Sequence, residues 1–149
     1  MKQLRISVAG RCDFLADFLW DEAPETCKAV CEDLPYINAT LSHVKWSGCV
    51  FGVFTNMNLR VAENSRGMGV WPGDILYNPH LHDKPEHPNE ISVVYGEAAM
   101  RTFSGYAIAN LFARIRPEYL DELRKLGNDL NLYGWQNATI TVEDVPEEE

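Results

Sequence analysis

Several aromatic residues in this chain sit beside polar side chains at what read as strand ends, the arrangement by which a small-molecule pocket is commonly lined. Trp46 lies at one such end, Tyr95 and Glu97 close another, Arg101 and Phe103 share the loop that follows, and Asn110 interrupts an otherwise apolar run. Gathered at one mouth, they would bind a small polar molecule. Arg101 would pair with a carboxylate, Asn110 would read an amide or hydroxyl, Trp46 and Tyr95 would stack, and Glu97 would exchange a proton as the catalytic group. A plainer reading competes for each. Large aromatics usually serve a core, a buried Asn satisfies loop backbone, and Glu97 and Arg101 at a spacing of four suit a surface ion pair.

Other chemistries are less well supported. His80, His82 and His87, near Asp83, Glu86 and Glu90, place two imidazoles at His-x-His spacing, but Pro79, Pro85 and Pro88 make the stretch a loop. A metal site needs firmer support than that, so no metal is expected, and the loop could instead contact a partner subunit. Cys49 has His43 close in sequence but no evident third partner, and Ser47 lacks the Gly-x-Ser-x-Gly elbow of a hydrolase. Ser65-Arg66-Gly67-Met68-Gly69 lacks the spacing and lysine of a phosphate cradle. No cofactor is expected.

The 149 residues fit one domain, and 46% apolar composition suits an ordinary globular core. A net charge of −9 argues against a polyanionic partner such as nucleic acid. No apolar stretch reaches the length of a membrane span or a secretory signal. Four cysteines without a CxxC pair fit reduced thiols in a cytoplasm, so the Asn-Ala-Thr triplets at Asn38 and Asn137 match a glycosylation pattern only formally. Residues 143–149 read as an acidic, mobile tail following a domain at 1–142.

The elements that would position these residues follow from periodicity. Leu4, Ile6 and Val8 alternate with polar residues, and Phe14, Ala16 and Phe18 share one face of a second run, predicting a β-hairpin. Pro24 suits the first position of a helix whose apolar stripe is Cys27, Val30, Cys31 and Leu34, ended by Pro35. Strands are predicted within 37–41, 49–54, 75–77, 91–96 and 108–115. A second helix is expected from Pro117 to Gly127 and a last strand over about 133–142. Short strands in this number with two helices predict a mainly β, α+β fold: one closed barrel capped by helices.

The order of strand, turn, strand and the Asp21-Glu22-Ala23-Pro24-Glu25-Thr26-Cys27 helix resembles the start of cyclophilins. Lys45-Trp46-Ser47-Gly48, Pro72-Gly73-Asp74-Ile75-Leu76-Tyr77, Tyr95-Gly96 and Asn110-Leu111-Phe112-Ala113-Arg114-Ile115 are similar to a bacterial cyclophilin-like family of unknown function. The resemblance implies a cyclophilin-like barrel, and in it Glu63-Asn64 match an acidic–Asn pair preceding the Pro-Gly-Asp turn, adding both to the candidate ligand-binding residues. The Phe-His-Arg and Gln-Gly-Gly-Asp-Phe patterns of prolyl isomerases do not occur. The expected function is therefore binding of a small carboxylate or amide, as an enzyme or accessory of small-amide metabolism. The alternatives are a non-catalytic ligand-binding or subunit-assembly module and, third, a residual peptidyl-prolyl isomerase, with a homo-oligomer among the candidate partners.

Overall fold

The computed structural model describes residues 2–81, 89–102 and 105–146. Its elements are β1 (Lys2–Val8), β2 (Phe14–Phe18), α1 (Pro24–Asp33), β3 (Tyr36–His43), β4 (Gly48–Phe54), β5 (Ser65–Arg66), β6 (Asp74–Tyr77), β7 (Glu90–Ala98), β8 (Arg101–Thr102), β9 (Gly105–Tyr106), β10 (Ala109–Ile115), α2 (Leu120–Tyr133) and β11 (Gln136–Asp144). Eight strands pair antiparallel in the order β2-β1-β11-β3-β4-β7-β6-β10, and β10 returns to β2 through Ala113↔Phe18, Arg114↔Asp17 and Ile115↔Ala16, closing the ring. The short β5 hangs on β10, and β8–β9 form a separate hairpin.

Period-two alternation explains β1 and β2, whose inward positions Leu4, Ile6, Val8, Phe14, Ala16 and Phe18 are buried. Together with Leu41, Phe51, Ile75 and Ile140 these aliphatic and aromatic side chains fill the barrel, leaving a void of only about 10 Å³. That is about the space of one water, so no ligand fits inside. Along β6 and in the middle of β7 and β10 the side chains of both faces are buried. On their outer face Val50, Leu76, Val94 and Leu111 pack under Val44, Val70 and Met100, which come from the connecting segments. Those segments therefore form a second layer over β4, β7, β6 and β10.

Both helices start where proline allows. Pro24 is at the first turn of α1 with Glu25 beside it, and Thr26, Cys27 and Val30 are buried. Burial pushes the Cys27 thiol up to about 12, the mark of an inert core cysteine. Pro117 opens a 3-10 turn that leads into α2, and the buried stripe is Leu123, Leu126, Gly127 and Leu130. The helix does not stop at Gly127, as expected, but runs to Gly134, whose φ of +94° and N–H bond to the Leu130 carbonyl end it. Gly127 instead allows close packing, because a Cβ there would lie 2.4 Å from the ring of Tyr95.

Strand β11 runs past residue 142, the expected end of the domain. Glu143 and Asp144 are the end of β11, in register with Gln3 and Lys2. Arg5 donates to Glu143 at 2.7 and 3.1 Å and to Asp13 at 2.6 Å, so two carboxylates share one guanidinium. The hydrogen bond from Arg5 holds the Glu143 carboxyl below the usual range. The terminal residues 147–149 lie outside the described structure.

Candidate functional site

Among the described residues the surface carries several recesses, and the candidate residues divide between two of them, the β8–β9 hairpin and the core. The first is a cavity of about 300 Å³ lined by Ser65, Asn78, His80, Tyr106, Ile108 and Asn110. Asn110 is fully buried on β10: its Nδ2 donates to Thr26 Oγ1 at 3.1 Å and to the Val61 carbonyl at 2.8 Å, while its Oδ1 accepts from Glu63 N–H at 3.3 Å. Glu63 in turn accepts the Thr26 N–H in the first turn of α1 at 2.5 Å, where the helix dipole favours a carboxylate. Asn64, at φ +44°, donates from its side chain to the Leu111 carbonyl. Three of the candidates, Glu63, Asn64 and Asn110, are thus brought together, as one network tying the segment before β5 to α1 and β10. These bonds are the loop-satisfying role that the plainer reading assigns to Asn110.

His80 enters the cavity wall from the segment after β6. It is buried and adopts φ +49°, uncommon for a residue with a Cβ; its N–H donates to Asn78 Oδ1 at 2.9 Å and its carbonyl accepts from Arg60 at 2.6 Å. His82 and His87, the other two members of the three-histidine group, lie outside the described residues, and no group of three metal-ligating side chains occurs among the described ones. Glu90 at the start of β7 is half-buried; desolvation raises its pKa, with His80 and the Ser92 hydroxyl opposing. A raised carboxyl stabilises the fold below its unfolded pKa, and that contribution is lost as pH rises through the folded value. Glu90→Gln is therefore expected to raise the melting temperature at neutral pH and to flatten the decline from mildly acidic pH, measured by thermal denaturation across that range.

Arg101 lies at the rim of this layer. Its guanidinium stands over the exposed Tyr106 ring, 4.8 Å from the centroid, in cation–π geometry. Ser47 Oγ donates to the Arg101 carbonyl at 3.0 Å and accepts its N–H at 3.1 Å, locking β8 onto the turn that carries Trp46. Trp46 is 51% exposed. Phe103 lies outside the described residues.

The expected single mouth does not form. Tyr95 is 4% exposed and points into the barrel, stacked on Phe51 at 6.3 Å and against Gly127 of α2, because a ring of that size belongs to the inward face of β7. Glu97 lies instead at the second recess, an open groove of about 700 Å³ that also includes Cys49, Trp71, Gly96 and Arg124. His43 was missed as a partner of Tyr95: its Nε2 is 2.5 Å from Tyr95 Oη, and burial followed by Lys45 lowers its pKa. Pairing β4 with β7, which sets Cys49 against the Tyr95–Glu97 stretch, is the signal that would have found it.

Ring closure, strand order and two capping helices define a cyclophilin-like barrel. A structure of McbB in complex with tryptophan is similar over 97% of this chain, with a TM-score of 0.74 and 20% identity, and this chain spans 47% of that protein. The solution structure of the hypothetical protein AF2241 from Archaeoglobus fulgidus is similar over 93% of this chain and 92% of its own, with a TM-score of 0.60 and 19% identity. A Cryptosporidium parvum cyclophilin-type peptidyl-prolyl cis-trans isomerase, solved in the presence of the dipeptide Ala-Pro, matches 96% of this chain and 99% of its own at a TM-score of 0.50 and 12% identity. At these identities the likeness is of fold. The chain belongs to the protein family of unknown function DUF3830, which it matches over residues 5–142. No curated protein matches it. No helix among the described residues is long and apolar enough to cross a membrane.

Proposed function

We propose that this protein binds a small molecule bearing a carboxylate or amide in the cavity bounded by Asn78, His80, Tyr106 and Asn110, with Arg101 as the anion-pairing residue at its rim. Such binding would serve an enzyme or an accessory of small-amide metabolism. The observation that carries this reading is Arg101, whose guanidinium is held over the Tyr106 ring that also lines the 300 Å³ cavity. That volume is at the lower end of small-molecule sites, and the wall combines apolar Ile108 with a few polar groups. Glu97 stands at the other recess and takes no part in this reading. The cyclophilin likeness supports no isomerase, since fold does not carry function and the isomerase patterns are absent from the sequence.

A neighbour of similar fold was solved with tryptophan, so L-tryptophan heads the probes, followed by small carboxylates and amides. In a thermal-shift screen confirmed by calorimetry, at least one carboxylate is expected to bind wild type about tenfold or more tightly than Arg101→Ala, the loss of one charge-assisted pair. If no carboxylate separates the two proteins, the reading is wrong. Binding without turnover would favour the ligand-binding module over the enzyme. The assembly alternative has its own observation, the exposed Leu132, Tyr133 and Trp135 beyond the buried part of α2. It predicts self-association in light scattering with no ligand found.

A further inference from the structure

Building on the carboxylate-binding reading above, we propose that the cavity of Asn78, His80, Tyr106 and Asn110 selects carboxylates that carry no ammonium group. Its ligand is then a simple carboxylic acid, and neither an amino acid nor an amine.

The chain holds 13 basic residues against 22 acidic ones, so a cationic side chain readily finds a carboxylate. Arg5 pairs with Asp13 and Glu143, Arg11 with Asp129, Arg114 with Asp74 and Arg116 with Asp17. Around the cavity the pattern reverses. Arg101 stands over the Tyr106 ring and Arg60 donates to the His80 carbonyl, both against uncharged groups. Arg66 follows the wall residue Ser65 on β5 and donates to the Asn64 side chain, also uncharged. Its Nε is buried with no hydrogen-bond partner among the described residues. Arg60, Arg66 and Arg101 thus adjoin one small region, and none of them is ion-paired with a carboxylate among the described residues. Such a region attracts anions and repels ammonium groups.

The wall has the same bias. No aspartate or glutamate is among its described residues. Asn110 Oδ1 already accepts the Glu63 N–H, and both of its amide hydrogens are taken by Thr26 and Val61. Asn78 Oδ1 accepts the His80 N–H, which fixes the amide and leaves its Nδ2 as a donor. Glu63 and Glu90 adjoin the wall without belonging to it. Glu63 accepts the Thr26 N–H at the start of α1, and desolvation favours the uncharged form of Glu90. A carboxylate therefore finds Arg101 and the Asn78 amide, with the Ser65 and Tyr106 hydroxyls able to donate as well. An ammonium group brought in with it would lie unpaired beside Arg101, a like-charge contact that weakens binding.

Matched ligands that differ only in their charged groups test this by calorimetry on the whole protein. The sets are 3-phenylpropionate, L-phenylalanine and phenethylamine; indole-3-propionate, L-tryptophan and tryptamine; and 4-methylpentanoate, L-leucine and 3-methylbutylamine. In the set whose apolar body fits best, the acid is expected to bind about tenfold or more tightly than the amino acid, and the amine not at all. Asn78→Asp keeps the oxygen that accepts the His80 N–H and replaces the donor by a second anionic oxygen. It is expected to weaken the acid about tenfold and to close or reverse its lead over the amino acid, a change of order that a loss of structure does not produce. An amino acid or amine that binds wild type as tightly as its acid overturns the selectivity. The carboxylate reading then still stands if Arg101→Ala weakens the acid. Failure of every ligand to bind overturns both. An unchanged order in folded Asn78→Asp overturns the selectivity too, since its source would then lie outside the wall.

Discussion

Gly127→Ala is expected to destabilise the protein by about 2 kcal/mol, although alanine is the better helix former by about 1 kcal/mol. The added methyl would lie 2.4–2.5 Å from three atoms of the Tyr95 ring, well inside contact distance. That ring cannot swing aside, because Phe51 stacks on one side of it and His43 holds its hydroxyl. Helix α2 must therefore lift off β7, and overpacking outweighs propensity. For a domain of this size, the expected fall in melting temperature is roughly 6–8 °C. A variant as stable as wild type would show that α2 can slide over the barrel end.

Asn110→Ala is expected to cost about 2–3 kcal/mol, read as a lower urea midpoint with an unchanged slope. Its amide makes three hydrogen bonds from a fully buried position, to Thr26, Val61 and Glu63, and alanine makes none of them. The backbone of Val61 and Glu63 can recover water in part, which keeps the cost below the sum of three buried losses. The damage should be local first. Amide exchange at 61–64 and in the first turn of α1 should quicken before that of β1 or β11. A cost under about 0.5 kcal/mol would remove Asn110 from its place as the clamp between the 61–64 segment and α1.

Much of the fold was legible because the relevant signals are local. Pro24 marks the start of α1, and the alternation of Leu4, Ile6, Val8 with Phe14, Ala16, Phe18 marks the first hairpin. The errors come from tertiary contacts that periodicity does not carry. Gly127 read as a helix end because nothing nearby in sequence reveals that Tyr95 occupies the space of its missing Cβ. Glu143 and Asp144 read as tail because the Arg5 that pairs with Glu143, and the Lys2 opposite Asp144, lie on β1 at the other end of the chain. Tyr95 is committed to the barrel core and Asn110 to the network with α1 and the 61–64 segment, so the candidates do not share one mouth. The nearness of His43 to Cys49 was visible in sequence, whereas the Tyr95 hydroxyl that His43 meets comes from β7.

The place of β11 in the ring has a consequence for how the molecule is made. This strand lies between β1 and β3, so each of them lacks a neighbour until β11 is inserted. Lys2 finally meets Asp144, a pairing of very high sequence separation. Folding of this barrel is thus governed by its last strand. It should be slow for its size, with the open barrel sticky until that insertion.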